Sequence, residues 1–119
     1  MNIADLRDEI LAADAKAAFD VLVSGFSGLA GVTLHAHEQG FLNSLRILRE
    51  ADFCFAAIPN DDWVLAYIRK PELRRGRLTA QSVRARFPEA RLTAKGEITL
   101  RIADAATATR WLEMIRDAA

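Results

Sequence analysis

The stretch from Phe53 to Lys70 constrains the fold of this chain more than any other part of the sequence. Two runs of aromatic and branched apolar residues flank the turn-forming sequence Pro-Asn-Asp-Asp at 59–62, which is typical of an antiparallel β-hairpin. An isolated hairpin is only marginally stable in water, so helices must cover at least one of its faces. The sequence therefore predicts a sheet built on a central hairpin over about residues 53–70.

Helical patterns lie on both sides of this hairpin. Apolar residues recur at helical spacing near the start of the chain, which predicts a first helix over about residues 3–22. Thr79 caps a second helix, which must end before Pro88 because proline cannot continue it. Asp104 caps a last helix.

Shorter patterns fill the remaining chain. Alternation predicts one strand over residues 31–38 and one or two further antiparallel strands over 92–102, while residues 41–50 fit either a short helix or a strand. The glycine-rich stretch 24–31 lacks the spacing of a phosphate-binding loop and predicts a flexible connector. Arg74-Arg75-Gly76-Arg77 predicts an exposed turn.

These elements predict an α+β fold in which helices pack on one face of an antiparallel sheet, as a two-layer sandwich. The length of 119 residues predicts a single domain over 1–119. No uninterrupted apolar run approaches the length of a membrane-spanning helix. The acidic, amphipathic start is not typical of a signal peptide, and the single cysteine, Cys54, cannot form an intramolecular disulfide. We expect a cytoplasmic protein with no membrane contact.

Charge is distributed unevenly along the chain although the net charge is +0. Residues 1–68 carry four basic and ten acidic side chains, whereas residues 69–95 carry nine basic and two acidic ones. Such asymmetry within one small domain indicates an anionic partner or self-association between unlike faces. Within this basic segment we expect six arginines to make the contacts: Arg69, Arg74, Arg75, Arg77, Arg84 and Arg91.

His35 and His37 are weak candidates for metal ligands. A strand places both on one side, and His-x-His spacing occurs in imidazole metal sites. A structural role for both histidines is the more ordinary interpretation, because no further Cys or His partner is evident. Asp61 and Asp62 are paired carboxylates, but formation of the hairpin turn already accounts for them.

Cys54 lies in an apolar strand, where a free thiol behaves as a small hydrophobe. Most of the large aromatic residues are simplest to assign to the core, although an uncovered outer face of the sheet would expose some of them as a protein interface. The residues concerned are Phe53, Phe55, Trp63, Tyr67 and Trp111.

The sequence contains no diagnostic catalytic motif and implies no cofactor. Our first hypothesis is a non-enzymatic protein-interaction module, of inhibitor, immunity or adaptor type, that contacts an acidic partner through the basic segment. The first alternative is nucleic-acid binding through the same segment, although Phe87 is its only aromatic residue. The second is a small metal-dependent enzyme built on His35 and His37. A homodimer is also possible.

Overall fold

The computed structural model describes residues 1–118 of the chain. Within them the chain forms five helices and six strands, in the order α1-α2-β1-β2-β3-β4-α3-α4-β5-β6-α5. The helices are α1 (Ile3–Asp8), α2 (Ala13–Ser27), α3 (Lys70–Leu73), α4 (Ala80–Arg86) and α5 (Ala105–Asp117). The strands are β1 (Val32–Gln39), β2 (Leu42–Arg49), β3 (Asp52–Pro59), β4 (Val64–Ile68), β5 (Arg91–Leu92) and β6 (Ile98–Ile102).

All six strands belong to one antiparallel sheet with the order β1-β2-β3-β4-β6-β5. Helices α1 and α2 pack against one face of this sheet, and α5 packs beside α2. The predicted α+β fold, with helices on one face of an antiparallel sheet, is therefore confirmed.

The core lies between the sheet and the helices. Phe26 of α2 contacts Phe55 of β3, with ring centroids 5.1 Å apart, and both rings are buried. Phe87 meets Trp111 of α5 edge to face at 5.3 Å. Aromatic pairs at these separations add a little to the stabilisation that burial of their area provides.

The predicted hairpin is formed by β3 and β4. Phe55 pairs with Ile68 at its open end and Pro59 pairs with Val64 beside the turn. The turn closes through a hydrogen bond of 2.9 Å from the Asn60 amide to the carbonyl of Trp63.

The prediction that Thr79 and Asp104 cap the later helices is confirmed. At the start of α4, the hydroxyl of Thr79 accepts the amide N–H of Ser82, and the Ser82 hydroxyl accepts the amide N–H of Thr79, both at 3.0 Å. At the start of α5, Asp104 Oδ1 accepts the amide N–H of Thr107 at 2.8 Å. These bonds satisfy amide groups that would otherwise lack a partner in the first helical turn.

The prediction of one continuous helix over 3–22 was wrong, because the chain breaks between α1 and α2. The amide N–H groups of Leu11 and Ala12 both donate to the carbonyl of Asp61, each at 2.9 Å. These hydrogen bonds to the hairpin turn take the place of helical ones, and the helix begins again at Ala13. The periodicity of the apolar residues gives no sign of this interruption, because its cause lies far away in the chain.

The structure also corrects the prediction for residues 24–31 and decides between helix and strand for residues 41–50. The stretch 24–31 is not wholly a connector, since α2 continues to Ser27 and Gly25 lies in helix against Leu112 of α5. A Cβ atom at Gly25 would clash with the Leu112 side chain, so this glycine permits a close approach of two helices. Residues 41–50 form the strand β2 rather than a helix.

Candidate interaction surface on the open face of the sheet

Side chains alternate between the two faces of each strand, and the described helices pack on only one of those faces. On β4, Val64, Ala66 and Ile68 are buried towards the helices, whereas Leu65 and Tyr67 point the other way and are partly exposed. We call this second side of the sheet the open face. The register assigns to it the following strand residues and their flanking neighbours: Thr33, His35, His37, Ser44, Arg46, Leu48, Phe53, Ala56, Ile58, Trp63, Leu65, Tyr67, Arg69, Arg91, Thr99 and Arg101.

Arginines on the open face lie against aromatic rings. The guanidinium carbon of Arg69 is 3.9 Å from the ring centroid of Phe53, and that of Arg46 is 4.9 Å from the same ring. Arg101 lies 4.4 Å from the ring of Trp63. Contacts of this kind attract a cation to the negative face of the ring, and they restrict the movement of the arginine side chain.

Arg69 is held by two further interactions. Its Nη1 donates to the carbonyl of Phe53 at 2.9 Å, and its Nε lies 3.2 Å from Glu97 Oε2. The side chain remains 31% exposed. Arg69 is therefore fixed in place while part of its side chain remains exposed to solvent.

A cavity of about 430 Å³ opens beside Trp63 on the same face. Arg91, which pairs with Thr99 across β5 and β6, and Arg101 both line it, together with Glu89. Arg91 and Arg101 are exposed. Two exposed guanidinium groups beside an indole ring can bind a carboxylate or a phosphate through bidentate hydrogen bonds.

A second basic group borders the open face at the other end of β4. Arg69, Lys70, Arg74 and Lys95 surround a cavity of about 290 Å³, with Glu97 as their acidic neighbour. This basic rim continues the positive charge of the open face around the end of the sheet.

The structure thus separates the six arginines that the sequence grouped together. Arg69 and Arg91 lie on the open face and Arg74 lies on the basic rim. Arg77 lies apart, on a surface that it shares with Arg116 of α5. Arg84 is exposed on α4.

Arg75 is not simply part of an exposed turn. Its Nη2 lies 3.2 Å from Asp52 Oδ2 and its Nε lies 3.8 Å from Glu72 Oε1, while its side chain is 22% exposed. These contacts join the turn to β3 and α3, so Arg75 has a structural environment that Arg74 and Arg77 lack.

The two histidines lie on the open face of β1, as the alternation predicted. His35 Nε2 lies 3.2 Å from the hydroxyl of Thr33. Among residues 1–118 there is no group of three His, Cys, Asp or Glu side chains that could hold a metal ion. Asp61 and Asp62 are exposed in the hairpin turn, where the backbone carbonyl of Asp61 joins the hairpin to the helices.

Of the five aromatic residues assigned to the core, Phe55 and Trp111 are buried, whereas the alternative of exposure on an uncovered sheet face holds for the other three. Phe53, Trp63 and Tyr67 are partly exposed on the open face. Arg46 and Arg101 were missed, because they lie outside the basic segment. Alternation along the strands was the available signal for Arg46, Tyr67 and Arg101, which occupy positions between buried residues.

Comparison of the chain with models of protein families, with curated proteins and with solved structures gave no match. Over the described residues, no helix is both long enough and apolar enough to cross a membrane.

Proposed function

We propose that this chain is a non-catalytic protein-interaction module that binds an acidic surface of a partner protein through its open face. The observation that carries the proposal is the set of arginines held against Phe53 and Trp63 on a sheet face that the described helices leave uncovered. We propose that the protein acts in the reducing environment of the cytoplasm. Its free and buried cysteine, Cys54, is compatible with that environment.

Fixed arginines suit carboxylate recognition for two physical reasons. The guanidinium group presents a planar set of donors that matches both oxygens of a carboxylate. A side chain that already rests on an aromatic ring also loses less conformational entropy when a partner binds. The partly buried apolar side chains between the arginines, such as Leu65 and Ile58, would add apolar contact area to the same interface.

Single-stranded nucleic acid is the second candidate, and one observation favours it. The open face supplies the aromatic residues that the basic segment lacked, and aromatic side chains on an open sheet can stack on bases. However, two guanidinium groups already lie against Phe53 and one lies against Trp63. A base could stack on these rings only by displacing an arginine, which favours the acidic protein as the partner.

The test compares two double charge reversals that change the net charge equally. Arg91→Glu with Arg101→Glu alters the open face, and Arg84→Glu with Arg116→Glu alters exposed arginines outside it. The probes are labelled polyglutamate and a labelled mixed-sequence single strand of DNA, each at low and at physiological salt. Circular dichroism melting of each variant checks that the fold is retained.

We expect polyglutamate to bind the native chain and to bind the open-face variant about tenfold or more weakly, a change of about 1.4 kcal/mol or more. The control variant should keep most of the affinity. Equal weakening by both variants, or no polyglutamate binding at low salt, would contradict the proposal. Tight DNA binding at physiological salt that only the open-face variant loses would instead identify nucleic acid as the favoured partner.

A further inference from the structure

The strand β1 forms an edge of the sheet and is unusually open for an edge strand. It is eight residues long and pairs with β2 along its whole length without a register shift. The strand at the opposite edge, β5, has only two residues. Proteins commonly protect long edge strands with proline, lysine or a bulge, because unpaired backbone groups there can pair with another chain. β1 contains none of these.

The hydrogen-bond pattern identifies which backbone groups of β1 are free. Glu50 N–H donates to the Gly31 carbonyl at 3.0 Å, so these two residues form a hydrogen-bonded pair of the β1–β2 ladder. Such pairs alternate with non-hydrogen-bonded ones in an antiparallel ladder. The backbone amide and carbonyl groups of Thr33, His35 and His37 are therefore hydrogen-bonded to β2. The amide and carbonyl groups of the intervening residues point away from the sheet: Val32, Leu34, Ala36 and Glu38.

We propose that two copies of this chain associate by pairing β1 with β1 in antiparallel orientation about a two-fold axis. A strand paired with itself in this way is complementary by symmetry, because each residue that donates also accepts from its counterpart. The result is one continuous sheet through both copies, with the helices of both on one side and both open faces on the other.

Only one antiparallel register of β1 with β1 pairs all four outward-pointing residues with one another. It places Leu34 opposite Ala36 of the second copy, and Val32 opposite Glu38 of the second copy, as hydrogen-bonded pairs. His35 then faces His35 of the second copy in a non-hydrogen-bonded pair. The same register brings the partly buried Leu34 and Ala36 together on the helix side, where the helix layer leaves them incompletely covered.

An exposed aromatic residue supports this register independently. Phe41, at the tip of the β1–β2 hairpin, is fully exposed, and an exposed large apolar side chain beside an open edge indicates an interface. In the proposed pairing the hairpin tip of each copy extends beyond Gly31 of the other, towards Leu29 and Ala30. These two residues are the apolar part of a cavity of about 270 Å³ whose other lining residues are charged, so Phe41 would pack against Leu29 and Ala30 at its margin.

The association does not depend on what the open face binds. It would nevertheless place the two open faces side by side, and so extend the arginine surface across both copies. Failure of the open-face binding test and failure of the dimer test are therefore separate results.

Disulfide trapping tests the register. Facing residues of a non-hydrogen-bonded pair have Cα atoms about 4.5 Å apart, within the range that a disulfide spans. We expect His35→Cys to form a covalent dimer under mild oxidation, seen on a non-reducing gel. The native Cys54 is fully buried and does not compete.

Thr33→Cys is the matched control on the same face of the same strand. In the proposed register Thr33 faces His37 of the second copy, and the two Thr33 residues are offset by four positions, about 13 Å. Thr33→Cys alone should not cross-link, whereas Thr33→Cys combined with His37→Cys should. Cross-linking of Thr33→Cys without cross-linking of His35→Cys would overturn the register.

The mass in solution tests the association itself. We expect the native chain to sediment as a dimer of 13.2 kDa protomers. Ala36→Pro removes an outward-pointing amide without affecting the β1–β2 ladder, and it should convert the protein to a monomer with little change in melting temperature. A native chain that stays monomeric at millimolar concentration would overturn the proposal, and so would a dimer that Ala36→Pro leaves intact. If Ala36→Pro does not fold, the cross-linking result decides.

Discussion

Arg49 Nη1 lies 3.4 Å from Glu72 Oε2 inside the protein, with the two side chains only 9% and 2% exposed. The residues are 23 positions apart in sequence, so this ion pair joins α3 to β2. Arg75 lies 3.8 Å from the other carboxylate oxygen. Loss of the carboxylate from a buried pair leaves the guanidinium charged and without compensation, which destabilises a protein far more than loss of a surface pair.

We expect Glu72→Ala to lower the free energy of unfolding by about 3–5 kcal/mol, because the Arg49 guanidinium would be left buried without its carboxylate. The double variant Arg49→Met, Glu72→Met should be considerably more stable than Glu72→Ala. Urea unfolding measures both. Glu113→Ala on the exposed side of α5 is the control, and a change there as large as that in Glu72→Ala would contradict this explanation.

Burial raises the pKa of the Cys54 thiol, and the nearby carboxylate of Glu72 raises it further. The folded state therefore favours the protonated thiol more than the unfolded state does. The resulting stability is fully present below the ordinary pKa of a thiol and is lost as the pH rises through the raised value. We expect the native chain to lose more stability than Cys54→Ala between neutral and alkaline pH. Parallel urea unfolding curves at all pH values would exclude this effect.

Gly25 of α2 has no space for a side chain, because a Cβ atom there would meet Leu112 of α5. We expect Gly25→Ala to destabilise the protein by about 1–3 kcal/mol through overpacking. Gly28→Ala is the matched control, because a Cβ at Gly28 would have its nearest neighbour at 3.6 Å and the backbone there has φ −81°. That control should be neutral or slightly stabilising. Thermal unfolding of both variants tests the contact, and equal melting temperatures would refute it.

The hydrogen bond from the Thr107 amide lowers the pKa of the Asp104 carboxyl at the start of α5. The stability that this cap contributes is present above the ordinary pKa of an aspartate and is lost as the pH falls through the lowered value. Asp104→Asn keeps an oxygen acceptor without a titrating group. We expect the advantage of the native chain over Asp104→Asn in melting temperature to shrink in acid, while Asp104→Ala stays less stable than Asp104→Asn. A constant difference between the native chain and Asp104→Asn at all pH values would count against this role.

Local signals in the sequence predicted much of the fold. The hairpin turn at 59–62, the capping residues Thr79 and Asp104, and the strand over 31–38 all follow from interactions between residues close together in the chain. The break between α1 and α2 could not be predicted in this way, because the carbonyl that causes it belongs to Asp61, far along the chain.

The candidate surface, like the fold, could be predicted from the sequence only in part. The basic segment, and the positions of Phe53, Trp63 and Tyr67 on strands or at their ends, could be predicted from the order of residues alone. The location of these rings on the open face, with Arg46 and Arg101 beside them, follows from the way the chain folds. Alternation along a strand separates two sets of side chains, but both sets here include large apolar residues. Which set is buried depends on where the helices pack, and that is decided by the whole chain at once.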